Sequence, residues 1–193
     1  MNANQTNPQE PVTKPLFSTK RLTLIGLMTA ILCILAPLSI PLPLSPVPLS
    51  LTNFVLFLSL YILGTTNSFI CYLVYLLLGL AGVPVFSNFS GGAAKLLGPT
   101  GGYLFGFLFL IPITGIIMQK WKNSRLISFG GMILGHLVCC FFGTAWLAYQ
   151  THTSFGASLF SGVVLFIPGD LIKMFLALLI GPELRKRLAH FLN

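Results

Sequence analysis

The chain has 193 residues, of which 55% are hydrophobic and only 7% charged, with eleven basic residues against three acidic ones. Soluble domains carry about 25% charged residues, so this composition cannot coat a water-facing surface, and it excludes an ordinary cytosolic enzyme or a disordered binder. At about 20 apolar residues per membrane crossing, the length holds roughly six spans in one membrane domain.

The net charge of +8 does not point to nucleic acid, because the basic residues lie in short clusters between apolar runs and form no continuous face. The cysteines, Cys33, Cys71, Cys139 and Cys140, all fall inside apolar runs without CxxC spacing. They read as buried free thiols, with no metal site and no disulfide framework expected.

In chain order, residues 1–21 are polar and carry Pro8, Pro11 and Pro15. They read as a disordered cytoplasmic leader, with residues 22–193 as the membrane domain. Lys20 and Arg21 abut the apolar run 22–36, and no small-x-small cleavage site follows. The run is therefore the first retained span. Five prolines, Pro37, Pro41, Pro43, Pro46 and Pro48, then fall within twelve residues, a density that forbids regular helix and favours extended chain. This segment is either a stiff interhelical loop or a lid over a ligand pocket.

A second span over about 51–64 and a third over about 68–83 are separated by the turn sequence Gly64-Thr65-Thr66-Asn67. A glycine-rich connection follows, then spans at roughly 102–119 and 126–149. The last apolar run, 157–181, contains Pro168-Gly169-Asp170, where a kink or break is expected. With the amino terminus inside, nine of the eleven basic residues fall on the inner side. The positive-inside rule then places both termini in the cytoplasm, and the proline loop, the glycine-rich loop and residues 150–156 outside.

Asp170 is the only acidic residue between Glu10 and Glu183, and Lys173 stands three positions later on the same helical face. A charge at membrane depth costs about 2.5–3.5 kcal/mol on insertion scales. Either the two form an intrahelical pair that merely neutralises itself, or they clamp a neutral polar ligand. Gly91-Gly92, Gly98 and Gly101-Gly102 lack the spacing and lysine of a phosphate loop. Their reading is close backbone approach to something small, with Asn88 and Tyr103 beside them as amide and phenol donors. Trp146 is an interfacial anchor or a pocket residue. Gly26-x-x-x-Ala30 lets another helix come close. Gly156-x-Ser158 and the histidines hint at an intramembrane hydrolase, but His136 and His152 have no acid at a sensible spacing, so no catalytic residue is assigned.

The stretch Leu77–Gly92, then Leu97-Gly-Pro-Thr-Gly-Gly-Tyr-Leu-Phe-Gly-Phe107, resembles the BioY family, the biotin-specific S-components of energy-coupling factor transporters. Phe166-Ile-Pro-Gly-Asp-Leu-Ile-Lys173 is similar to that family's second motif. The resemblance implies an all-α bundle of six transmembrane helices in a bacterial cytoplasmic membrane, biotin capture from outside, and docking onto a transmembrane coupling protein with paired ATPases. It implies substrate contacts at Asp170, Lys173, Asn88 and Tyr103, and to these the expected substrate-binding set adds Gly92, Trp146 and Asn53, the last in Ser50-Leu-Thr-Asn-Phe54, where the chain departs from the family, which commonly has a glutamine nearby. It also implies a partner-helix surface at Gly26 and Ala30. No ATP-binding motif is present, so no cofactor is expected and ATP is left to the partners. A self-sufficient oligomeric biotin transporter and an intramembrane enzyme are the alternatives.

Overall fold

The computed structural model describes residues 19–43, 45–121 and 124–192, with side chains through residue 188. The expected leader lies almost wholly outside the described residues. Helix α1 (Thr19–Leu35) buries Ile25, Met28 and Leu32. The hydroxyl of its Thr29 donates to the Ile25 carbonyl at 2.8 Å and reaches Cys71 Sγ at 3.3 Å, so a polar group within the bundle is satisfied rather than stranded.

After Pro37 the chain forms two short strands, β1 (Ser39–Ile40) and β2 (Leu49–Ser50), paired antiparallel with Ser39 opposite Ser50 and Ile40 opposite Leu49. The four prolines between them sit outside the ladder, where a missing N–H costs nothing. The extended chain expected here is thus pinned into a small hairpin.

Helix α2 (Thr52–Leu80) has a sharp reversal at Gly64, whose φ of +76° and ψ of 178° are not helical. A straight helix would hold Thr52 and Tyr75 about 35 Å apart at 1.5 Å per residue, yet the two side chains meet. The second and third spans are therefore the two halves of α2, folded back on each other. Glycine is needed at the reversal because that region of φ/ψ space is open essentially to it alone.

A loop follows, in which Phe86 pairs with Ser90 and the Phe86 ring lies directly over Gly79, where a Cβ would come within 2.0 Å. Then come α3 (Ala93–Leu97), α4 (Gly101–Lys120), α5 (Arg125–Thr151), α6 (Phe155–Gly162), a short 3-10 turn (Val164–Phe166) and α7 (Ile167–Leu192). Helices α4 and α5 pack along their full length, and small residues set the distance. A Cβ on Gly106 would meet the Cys139 carbonyl at 2.8 Å, and one on Gly135 would meet Thr114 Oγ1 at 2.2 Å. Close backbone approach of this kind is how helices associate where lipid removes the hydrophobic drive between them.

The interruption of the last apolar run lies at Val163–Phe166 and not at Pro168-Gly169-Asp170. Pro168 occupies the first turn of α7, where its absent N–H would have had no intrahelical partner. Asp170 is placed in that same first turn, at the end of the helix that favours a carboxylate.

Four stretches, Thr52–Leu80, Gly101–Lys120, Arg125–Thr151 and Phe155–Leu188, are long and apolar enough to cross a membrane. With Thr52–Leu80 counted as two crossings and α1 added, the bundle has six transmembrane helices. Large apolar side chains such as Ile34, Leu77, Leu137 and Ile172 point outward, as lipid-facing residues do.

Candidate functional site

Three segments close one end of the bundle: the proline hairpin, the glycine-rich loop with α3, and the α6-to-α7 turn. Beneath them lies a cleft of about 680 Å³, counting its open mouth. Its roof includes Val47, Pro48 and Leu49, its walls include Phe86, Leu104, Phe107 and Phe166, and Lys95 stands on α3. Around one side is a polar cluster built from four elements.

Asp170, only 8% exposed, is the hub. Its Oδ1 accepts from Asn53 Nδ2 at 2.8 Å and from Lys173 Nζ at 2.9 Å. Its Oδ2 lies 3.1 Å from His136 Nε2. Lys173 Nζ also donates to the Ser50 carbonyl at 2.7 Å, tying α7 to the hairpin. Burying an isolated charge is costly; here a carboxylate with three donors and an ammonium with two acceptors share that cost. Asn53 is in turn fixed by its own Oδ1, which accepts from the Phe54 N–H at 3.0 Å.

The residues singled out in the sequence fall into two groups. Asp170, Lys173, Asn53 and Tyr103 line the cleft. The Tyr103 hydroxyl donates to the Gly162 carbonyl at 3.0 Å, and its ring and hydroxyl fit only because Gly143 and Gly162 lack a Cβ.

Asn88, Gly92 and Trp146 hold the surrounding loops. The Asn88 N–H donates to the Pro37 carbonyl at 3.1 Å, and its Oδ1 accepts from Ser39 Oγ at 2.8 Å, clamping the hairpin to the glycine loop. The Gly92 N–H donates to the Gly79 carbonyl at 2.7 Å. The Trp146 indole N–H donates to the Gly98 carbonyl at 2.9 Å while its ring packs on Gly101 and Gly102. Gly26 and Ala30 are exposed on α1, and nothing approaches the Cβ position of Gly26.

Two residues at the cleft were not assigned from sequence. His136 has its acid after all: Asp170, 34 positions later, reaches it from α7. The readable signal was a histidine inside an apolar span, which is a functional candidate by default. Lys95 is half-buried at the mouth, and burial lowers its pKa from the usual lysine range. It is the one basic residue of the glycine-rich connection. Ser158 Oγ pairs with Thr153 Oγ1 at 2.8 Å. Among the described residues no group of three His, Cys, Asp or Glu side chains could hold a metal ion.

A carboxylate hub, a free ammonium edge and apolar, aromatic walls in a half-closed cleft suit a compact ligand with a polar, uncharged ring. The BioY family matches residues 6–190 of this chain. The chain belongs to the BioY family. Among the relatives, the biotin transporter BioY of Thermotoga maritima is 38% identical over 167 residues, covering 86% of this chain and 96% of that one. The biotin transporter BioY2 of Lactococcus lactis is 36% identical over 169 residues, covering 88% and 92%. The fold superposes on the crystal structure, at 2.1 Å, of the S-component for biotin from an ECF-type ABC transporter, with a TM-score of 0.81 and 36% identity, covering 86% of this chain and 91% of that one. This BioY family member is thus a multi-pass membrane protein with the S-component bundle.

Proposed function

We propose that this chain captures biotin from the outer face of a bacterial cytoplasmic membrane and delivers it inward. The observation that carries the reading is the buried Asp170–Lys173–Asn53–His136 cluster facing an apolar cleft. Biotin has a neutral ureido ring with two N–H donors and one carbonyl, an apolar thioether ring and a carboxylate tail. Asp170 accepts from the ureido N–H side and Lys173 donates to the carbonyl. Phe107, Phe166 and Leu104 cover the thioether ring, and Lys95 at the mouth meets the tail. The names of the relatives, biotin transporters, support the same ligand.

Orientation follows from charge. The cleft end of the bundle carries Lys95 and the opposite end carries Lys20, Arg21, Lys120, Arg125 and Arg185–Arg187. The basic end faces the cytoplasm, with both termini on that side, and the cleft opens outward. No ATP-binding motif is present, so energy comes from a membrane coupling protein and its ATPase pair. The exposed Gly26–Ala30 strip supports α1 as the docking face.

The test is a titration of the purified protein with biotin, desthiobiotin and lipoate. Saturable biotin binding is expected, with desthiobiotin weaker because it keeps the ureido ring but not the thioether. Lipoate, which has the acid tail without a ureido group, should not compete. Lipoate binding as tight as biotin would overturn the ureido assignment.

A further inference from the structure

At the basic end of the bundle a second cavity, of about 600 Å³ counting its open mouth, lies between four transmembrane segments. Its lining comes from the first half of α2 down to Gly64, from Met118 and Gln119 of α4, from Ser128 of α5 and from Arg185 of α7. Gly64 lies about 16 Å along α2 from Asn53 at 1.5 Å per residue, so this cavity is separate from the site around Asp170.

Two of its polar side chains have donors to offer. Ser128 is buried, and its hydroxyl is spent on the Ser124 carbonyl at 3.0 Å. Gln119 is exposed, and its Nε2 stands over the α2 reversal, 3.1 Å from where a Cβ on Gly64 would be. Among the described residues, neither the Gln119 amide nor the Arg185 guanidinium has a hydrogen-bond partner, and Arg185 has no ion-pair partner. The acidic residues explain why. The chain has three, Glu10, Asp170 and Glu183. Glu10 lies outside the described residues, and Asp170 is held in the cleft. Glu183 is taken by Arg187, Nε to Oε1 at 3.1 Å. At 3.6 residues per turn, Arg185 stands about 160° around α7 from Glu183, on the other side of the helix from that pair.

A guanidinium between transmembrane helices with no protein carboxylate in reach takes its counter-charge from outside the chain. Basic pockets between helices on the cytoplasmic side are where acidic lipid headgroups bind, and the planar fork of arginine matches the oxygens of a phosphate. We propose that this cavity holds the headgroup phosphate of an acidic phospholipid, with Arg185 pairing with its oxygens and Gln119 donating an amide N–H. A lipid fits better than free phosphate because this end also has the marks of a lipid boundary. Lys120 Nζ lies 4.8 Å from the centroid of the Trp121 ring, an interfacial pairing. Ile116 and Leu126, on the two helices that supply Gln119 and Ser128, are 59% and 80% exposed and offer apolar surface to acyl chains.

The full-length protein, stripped of lipid in detergent, is titrated with phosphatidylglycerol, phosphatidylcholine and inorganic phosphate. Bound lipid is counted by native mass spectrometry, and thermal unfolding is followed alongside. Phosphatidylglycerol should bind at about one per chain and raise the unfolding temperature, with phosphatidylcholine much weaker. Arg185→Met should bind phosphatidylglycerol about tenfold more weakly, and Arg185→Lys, which keeps the charge without the fork, should fall between. Lys186→Met, on the next residue but outside the cavity, should lose far less. Biotin binding serves as a check that each variant is folded. If Arg185→Met does not fold, Gln119→Leu makes the same comparison and should also weaken the lipid.

Equal losses in Arg185→Met and Lys186→Met would mean attraction to a basic surface without a site, and would overturn the proposal. Phosphatidylcholine binding as tight as phosphatidylglycerol would overturn the acidic headgroup. Stabilisation by inorganic phosphate that is lost in Arg185→Met, with no retained lipid, would assign the cavity to a soluble phosphate and overturn the lipid.

Discussion

Asp170 holds a position that neither of its neighbours could fill alone, because it takes hydrogen bonds from α2, α5 and its own helix at once. Asp170→Asn keeps the shape but replaces an acceptor oxygen by an amide donor and leaves the Lys173 ammonium without its counter-charge. Loss of a charge-assisted bond with a group left unpaired costs roughly 2–4 kcal/mol, which is about a 30- to 1000-fold fall in biotin affinity. Combining Asp170→Asn with Lys173→Met restores neutrality. A ligand clamp predicts a double variant that is stable to heat but does not bind biotin, whereas near-normal affinity in the double would assign the pair a structural role only. Lys95 gives a second residue-level test. If its ammonium meets the carboxylate tail, Lys95→Met should weaken biotin about tenfold and leave biotin methyl ester, which has no tail charge, unchanged. Because burial lowers the pKa of Lys95, its charge is lost on raising pH earlier than for an exposed lysine. Biotin affinity should therefore fall on the alkaline side in wild type but not in Lys95→Met.

At the scale of elements, the reversal in α2 is decided by one residue. Gly64→Ala places a Cβ 3.1 Å from Gln119 Nε2 and forces a non-glycine residue into a φ of +76°. Strain of that kind costs about 1–3 kcal/mol. The variant should unfold at lower temperature and keep its biotin affinity, since Gly64 lies about 16 Å along the helix from Asn53 at 1.5 Å per residue. Helix α1 tests coupling instead of folding. Gly26→Leu or Ala30→Leu adds bulk at an exposed position of α1, and nothing approaches the Cβ position of Gly26. Binding by purified protein should persist while uptake in cells and co-purification with a coupling protein fall. Unchanged uptake would remove α1 as the docking face.

For the whole molecule, charge asymmetry predicts sidedness. Phe89 is 64% exposed beside the cleft, and nothing approaches the Cβ position of Gly156. Gly91 is a poor labelling site, because a Cβ there would meet the Val83 carbonyl at 2.4 Å. Single cysteines at 89 and 156, on a background without the four native ones, should react with an impermeant thiol reagent in intact cells. A cysteine at the exposed Lys186 position should react only after permeabilisation. The reverse pattern would invert the topology and place the cleft on the cytoplasmic side.

The sequence alone determined the environment, the number of spans and the family motifs. Hydropathy and the placement of lysine and arginine are additive along the chain, and a bilayer reads them locally. It also marked Asp170 and Lys173, because two opposite charges one turn apart need no tertiary information to be paired. The partition of the remaining candidates was decided only by folding. Asn53 and His136 meet Asp170 across gaps of 117 and 34 positions, and no periodicity encodes such a contact. Asn88 and Trp146 look equally able to face a ligand in sequence, but their hydrogen bonds go to Pro37, Ser39 and Gly98. Local rules put a kink or break of the last apolar run at Pro168-Gly169-Asp170, because proline disrupts a helix in its interior. In the fold it begins one, since a helix start is where the missing N–H is not needed. Local rules named the residues with chemistry, and packing of four elements around one carboxylate decided which of them share a site.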